Sequence, residues 1–436
     1  MRFNMNKFTR LLLVAGLGCS FAALANNPVP AAPQSQPVLL TNATVFTVAQ
    51  GTKADTDVLL TDGKISAIGT DLPVPANAQV IDLTGKHLYP GLIALANQLG
   101  LIEIEAVRAT DDTRETTATN PDVRAQIAFD TDSKVIPTLR ANGISYSLIY
   151  PDGSLLMGQS ALMHLDGWNW EDATVRAGVA LHINWPSTSV KPSPYGKPEK
   201  PEDLAKANAK ELDALYQQMD RAKAYQLAKL AGQISQLDSR WEAMLPVFAG
   251  ERPVFVHAND ARQIRQALQF AKHYQLKLAI VGGLDSWQLA DELAKAKVPV
   301  IFTAPFGIPE RDDEAVDTAY ATPAILAKAG VQFAIGIAGF WQVRDLPFGA
   351  GQAASFGLDK DAALASITLN AAKIAGVDDR LGSIEVGKAA TLVVSDGDIM
   401  DYRSSKIRHM WIDGRAVDLD THHKQLDRKY RQRLSR

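Results

Sequence analysis

Apolar and polar positions change rhythm along this chain. Short β-type runs occupy 38–48, 58–61, 64–68 and 80–83, and Asp62-Gly63 between two of them is a two-residue hairpin signal, because a type I′ turn needs positive φ at both places. Similar runs return at 391–395 and 409–412, the second turning at Asp413-Gly414, which predicts a small sheet domain closed by both chain ends. Between them, 144–150, 253–256, 278–281, 298–302 and 333–337 are apolar, β-branched runs without alternation, the pattern of strands buried on both faces. Helical stretches separate them: 260–272, where Asp260 and Gln263 form a capping-box pattern, then 286–295, 323–329 and 359–368, with an Ala/Lys/Glu-rich segment at 201–245. Repeated βα units predict an α/β fold, a (β/α)8 TIM-like barrel, with a doubly wound open sheet as the competitor.

Arg2, Lys7 and Arg10 flank an apolar run at 11–21 that ends in Ala23-Leu24-Ala25, the three parts of a secretory signal peptide cleaved after Ala25. The expected location is the periplasm or the exterior. Cleavage also removes Cys19, the single cysteine, so neither disulfides nor thiolate chemistry are available to the mature chain. The organisation read from the sequence is a signal peptide at 1–25, a Pro-rich tether at 26–37 and the first part of a β-sandwich at 38–89. The barrel follows at 90–380, the sandwich resumes at 381–420, and a basic tail helix ends the chain at 421–436. The prolines within 191–200 read as an exposed loop.

With 46% hydrophobic residues the chain has material for a large core. Lys and Arg number 45 against 48 Asp and Glu, a net charge of −3, and basic residues cluster only in the tail, which argues against a nucleic-acid partner. After the leader, no run approaches the roughly 18 uninterrupted apolar residues of a membrane span.

Four stretches point to a family. His87-Leu-Tyr-Pro-Gly-Leu-Ile93, Thr368-Leu-Asn-Ala-Ala-Lys373, Gly382-Ser-Ile-Glu-Val-Gly-Lys388 and Thr391-Leu-Val-Val-Ser-Asp396 together resemble the amidohydrolase superfamily, in particular its imidazolonepropionase-like branch, over roughly 38–420. The resemblance implies a metal-dependent barrel hydrolase with a β-sandwich from both chain ends, acting on amide or other C–N bonds in cyclic compounds or dipeptides. It also implies an Asp-x-His-x-His motif at the first barrel strand, but this chain reads Ala94-Leu-Ala-Asn-Gln98, which puts Ala96 and Gln98 at the two histidine positions. The fifth-strand histidine is matched by His257, whereas the sixth-strand histidine falls on Gly282 and the eighth-strand aspartate on Ala338. The family's carboxylated lysine has no match. A metal that ionises water needs about three protein ligands and an open position, so no cofactor is expected unless a divalent metal such as zinc has relocated ligands.

His257 is the candidate catalytic residue, as general base or as hydrogen-bond donor to a ligand. Asn97 and Gln98 are candidates for hydrogen bonds to substrate. Arg108 stands in an acidic stretch with Glu103, Glu105, Asp111 and Asp112. Trp168 and Trp170, within Asp166-Gly-Trp-Asn-Trp-Glu-Asp172, are candidates for a rim that stacks on a ring. Trp287 and Trp341 fall just beyond predicted strand ends and are expected at the barrel mouth, with Arg344 as a partner for a ligand carboxylate. The expected function is an exported amidohydrolase-like hydrolase of a small cyclic amide or dipeptide-like compound, its metal site degenerate or relocated. The alternative is a non-catalytic binding or scaffold protein that kept the barrel. The partner expected is a small molecule; the oligomeric state, homo-oligomer included, stays open.

Overall fold

The computed structural model describes residues 29–435 apart from 116, 118, 154, 189–199, 310 and 313. The signal peptide, the start of the tether and most of the proline-rich loop lie outside the described residues. The strands in chain order are β1 Val38–Phe46, β2 Thr52–Thr61, β3 Lys64–Gly69, β4 Gln79–Asp82, β5 His87–Pro90, β6 Leu92–Asn97, β7 Ile144–Ile149, β8 Leu156–Gln159 and β9 Ala161–His164. They continue as β10 Thr174–Arg176, β11 Leu181–Asn184, β12 Val254–Ala258, β13 Leu278–Gly282, β14 Val300–Phe302, β15 Phe333–Ile335, β16 Leu392–Ser395, β17 Ile407–Ile412 and β18 Arg415–Ala416.

Both chain ends share one eight-stranded sheet in the order β18-β17-β16-β5-β1-β2-β3, with β4 beside β1. Its joint is the antiparallel pairing of β16 with β5, Val393 opposite Tyr89. Both expected turns have left-handed backbone, Asp62 and Gly63 at φ 51° and 74°, Asp413 and Gly414 at 50° and 77°. The turns meet: Ala390 N donates to Gly63 O at 2.8 Å and Gly414 N to Ala390 O at 2.9 Å. A side chain on either glycine would press on the other turn, 2.9 Å from Asp413 O in one case and 2.7 Å from Gly63 Cα in the other. The described tether residues are tied to this assembly. Gln34 receives Gly63 N at 2.8 Å, and Ala31 N donates to Asp166 Oδ2 at 3.0 Å.

The middle of the chain forms a TIM-barrel-like α/β arrangement of two sheets, β10-β9-β7-β6 and β15-β14-β13-β12-β11-β8. Strands β11 to β15 run parallel, as the unalternated apolar runs predicted. Alternate residues still divide between two cores. Phe255, Ala279, Val281, Ile301 and Ala334 point inward to meet Ile93, Leu95, Tyr146, Leu148 and Leu162. Val254, Val256, Ile280, Val300 and Phe333 point outward against helix residues such as Ile264, Phe270 and Leu293. The helix Ala261–Tyr274 carries the full capping box, Asp260 accepting at its N-terminus and Gln263 reaching back.

The structure corrects the expectation of uniform βα repeats in one place. Strands β8 and β9, joined through Ser160, belong to different sheets, and each runs antiparallel to its neighbour, β8 to β11 and β9 to β7. The chain leaves β7 through a short loop rather than through a helix, so it returns antiparallel; a parallel return needs a crossover of a dozen residues or more. No ladder joins β15 to β6 among the described residues, although the two edges approach each other: Gln98 N donates to Gly339 O at 3.3 Å.

Candidate functional site

Strand period places His257 beside Phe255 on the inner face of β12, and His182 likewise on β11 between the outward Leu181 and Ile183. Asn184, His257 and Val281 stand level at the C-terminal ends of β11, β12 and β13. His182 Nδ1 lies 2.8 Å from His257 Nε2. The Tyr150 ring stacks on His182 at 4.9 Å and 2° and tilts against His257 at 4.6 Å. Burial holds both imidazoles neutral. It pushes His257 down to about 3, and His182, fully buried, lies well below its ordinary value, the neighbouring histidine adding to the effect. The Tyr150 hydroxyl is pushed up to about 12, mainly by burial. His182 Nε2 is buried without a partner, so this ring has one nitrogen engaged and one left over.

His257 lines a cavity of about 390 Å³ with Asn184, Trp185, Glu211, Asp285 and Arg311 among its other walls. A wider recess of about 1220 Å³ adjoins it, sharing Asp260, Asp285 and Arg311 and reaching Trp287. Two of the carboxylates are engaged. Asp285 takes Arg311 on both oxygens, at 2.8 and 3.1 Å, and also Ala261 N at 3.1 Å. Asp260 accepts the backbone amides of Arg262 and Gln263 at 2.9 Å each and the Thr188 hydroxyl. Glu211, exposed on the helix Pro201–Leu230, adds a carboxylate at the rim.

Only part of the set singled out in the sequence gathers here. His257 faces the cavity and Trp287 lines the adjoining recess. Asn97 does not face it. Its carboxamide is fully buried, with Oδ1 accepting Leu99 N at 3.1 Å and the Ser147 hydroxyl at 2.8 Å, so it holds the backbone together after an irregular strand end. Gln98 is half-buried beside Gly339 and does not line the cavity. Arg108 is exposed, and its guanidinium donates to Asp111 O within its own loop.

Trp168 and Trp170 are at the wrong end. Because β9 is antiparallel, with Ala161 opposite Ile149 and His164 opposite Tyr146, the loop that follows emerges at the opposite rim from His257. Asn169 caps the short helix Trp170–Ala173 there, and Asp166 is buried against Arg140 at 2.7 Å. Trp341 stacks under Arg344 at 4.6 Å and edges against His423 at 6.1 Å, away from the cavity. Sequence reasoning missed His182, Tyr150 and Asn184; β11 is four residues long and mixes two polar with two apolar positions, too short for a periodic signal.

The positions where the resemblance implies metal ligands are filled in other ways. Ala96, at φ 56°, puts its methyl in the inner core. Gly282 has φ 98°, and a β-carbon there would collide with Asn259 Oδ1, so the Asn259 amide occupies the space a sixth-strand side chain would need. Ala338 is exposed beyond β15. Among the described residues no group of three or more His, Cys, Asp or Glu side chains is placed to hold a metal ion.

Comparison with known proteins agrees with this architecture. The sequence profile described as the amidohydrolase family matches residues 288–417. An amidohydrolase of Hapsidospora irregularis is 20% identical over 391 residues, 83% of this chain and 39% of that protein, so the chain spans about two fifths of this curated relative's length. A deacetylase of Agrobacterium fabrum is 40% identical over 65 residues, 14% of this chain and 16% of that one. The crystal structure of an amidohydrolase from Thermotoga maritima superposes with a TM-score of 0.75 at 27% identity, covering 87% of this chain and 99% of that chain. The framing motifs, the barrel-like sheets and the profile match over residues 288–417 agree in their likeness to the amidohydrolase family.

Proposed function

We propose that this protein is an exported amidohydrolase-like hydrolase that takes a small cyclic amide or dipeptide-like compound into the cavity beside His257 and cleaves a C–N bond there. The observation that carries this is the position of His257, at the C-terminal end of β12 on the cavity wall, the rim where barrel enzymes place their chemistry. In this reading the two barrel sheets close through the approach of β15 to β6 into a (β/α)8 barrel, and the chain ends form the small β-sandwich. The family-type metal site is degenerate, since the strand ends offer Ala96, Gln98, Gly282 and Ala338 where ligands would stand.

His257, depressed to about 3, is a weak base at neutral pH and works best as a hydrogen-bonding group on the amide. Proton acceptance then falls to Glu211, because Asp260 and Asp285 are held by helix amides, Thr188 and Arg311. The neutral imidazole polarises the carbonyl, Glu211 takes a proton from the water that adds to it and returns that proton to the nitrogen as the C–N bond breaks, and the apolar walls around Leu155, Trp185 and Leu284 limit competing solvent. A second reading, a barrel kept for binding alone, is favoured by the absence of a three-ligand group among the described residues.

The test pairs elemental analysis of chelator-free protein with hydrolysis of a panel of cyclic amides and dipeptides. The expected result is turnover without stoichiometric metal, lowered about 10²–10³-fold in kcat by His257→Ala, the size of losing one transition-state hydrogen bond. About one zinc, iron or manganese per chain surviving dialysis overturns the degenerate site. Binding without turnover selects the second reading. Fractionation of cells producing the full chain tests export.

A further inference from the structure

The last helix, His422–Leu434, is firmly rooted yet uncovered. Thr421 caps it through a 3.1 Å bond from Lys424 N, Arg428 donates from both terminal nitrogens to Asp420 at 2.9 and 2.7 Å, and Lys424 Nζ donates to Leu419 O at 2.8 Å. The His423 ring edges against Trp341 on the barrel. Beyond Arg428 the helix leaves the body: Arg431 pairs with Asp427 of the same helix, and no residue of the helix is buried. Leu426, Tyr430 and Leu434 stand four apart and so share one face, with Tyr430 53% and Leu434 86% exposed. Five Lys or Arg side chains stand here against the single carboxylate of Asp427, in a chain whose net charge is −3.

A helix of this length is marginal in water on its own, so one that projects gains stability from whatever covers its apolar stripe. Three side chains offer a few hundred Å² at most, well short of the roughly 800 Å² per partner of a stable protein interface. A lipid surface demands no matching contour and rewards each added cation when its headgroups are anionic. We propose that this helix docks the protein on an anionic phospholipid surface. Tyr430 and Leu434 enter the boundary between headgroups and acyl chains, and Lys429, Arg431 and Arg433 lie over the phosphates.

The experiment is co-sedimentation of the full chain with vesicles of phosphatidylcholine alone or mixed with phosphatidylglycerol. Partitioning onto the anionic vesicles is expected to be at least about tenfold higher, and to fall several-fold in roughly 1 M salt, where screening shrinks to about 3 Å. Tyr430→Ser with Leu434→Ser, and separately Arg431→Glu with Arg433→Glu, are expected to abolish the difference while leaving the melting temperature in place, since all four side chains are exposed. Equal partitioning onto both vesicles overturns the proposal. So does a dimer, seen by light scattering without lipid, that these same substitutions dissolve.

Discussion

His182 and His257 share one hydrogen bond in a place where neither ring carries charge cheaply. In the fold both titrate below the ordinary 6.5, so below that pH the unfolded chain takes up protons that the native chain refuses. Stability is therefore expected to be full above pH 6.5 and to fall as pH drops toward 3, by up to about 1.4 kcal/mol per pH unit for each ring. Denaturant midpoints at pH 7 and pH 5 measure it. A His182→Phe variant should show a flatter pH dependence than the wild type, and parallel slopes would remove the pair as the cause. Gly282→Ala tests the neighbouring strand end: the left-handed backbone and the Asn259 amide both oppose a methyl, so a loss above about 1 kcal/mol is expected in the same denaturation assay. Of the cavity wall itself His257 was legible, because it falls where the resemblance places a histidine, and Trp287 of the adjoining recess was legible from its place after a strand end. His182 lies in a four-residue strand with no motif and no period, and Asn97 looked available only because sequence does not show that Ser147 and Leu99 already claim its oxygen.

At the scale of elements, strand direction decides which loops face the cavity. The segment 166–172 looked like a binding rim because two tryptophans and three carboxylates fall within seven residues, a composition that says nothing of the end at which the loop emerges. The reversal at β8 and β9 sends this loop to the rim opposite His257. There the buried pair Arg140–Asp166, with side chains 4% and 1% exposed, fixes it against the tether and the helix Ile136–Arg140. Burial outweighs the pairing at Asp166, whose carboxyl is raised from its ordinary value despite the guanidinium beside it. Arg140→Met leaves that carboxylate buried without its cation and is expected to cost about 3–5 kcal/mol of stability by chemical denaturation. Turnover at the far rim should hardly change under native conditions; a large loss of kcat with the fold intact would contradict this separation of the two ends. The parallel strands β12 to β15 and the capped helix after β12 were readable from apolar runs and the capping box, since both signals are local. The reversal was not, because the pairing partners of a strand lie far away in sequence.

Over the whole molecule, the two ends of the chain are one structural unit. Strands formed before residue 91 pair with strands formed after residue 391, and the Tyr146 hydroxyl, 2.7 Å from the Thr391 hydroxyl, ties the barrel-like sheets to the join. A chain ending at residue 388 loses β16 to β18 and leaves β5 with an open edge, so it is expected to be recovered as aggregate rather than as a cooperatively melting protein, as sedimentation and circular dichroism would show. The hairpin signals at Asp62-Gly63 and Asp413-Gly414 made each turn legible, although neither announced that it would rest on the other. The β5–β16 joint also has a consequence for biosynthesis. The ribosome delivers Tyr89 some three hundred residues before its strand partner Val393, so the first hairpins must wait, unfinished and adhesive, until that whole intervening stretch has been made. Chaperones that hold nascent chains are therefore expected to matter more for this protein than for one whose sheets close locally.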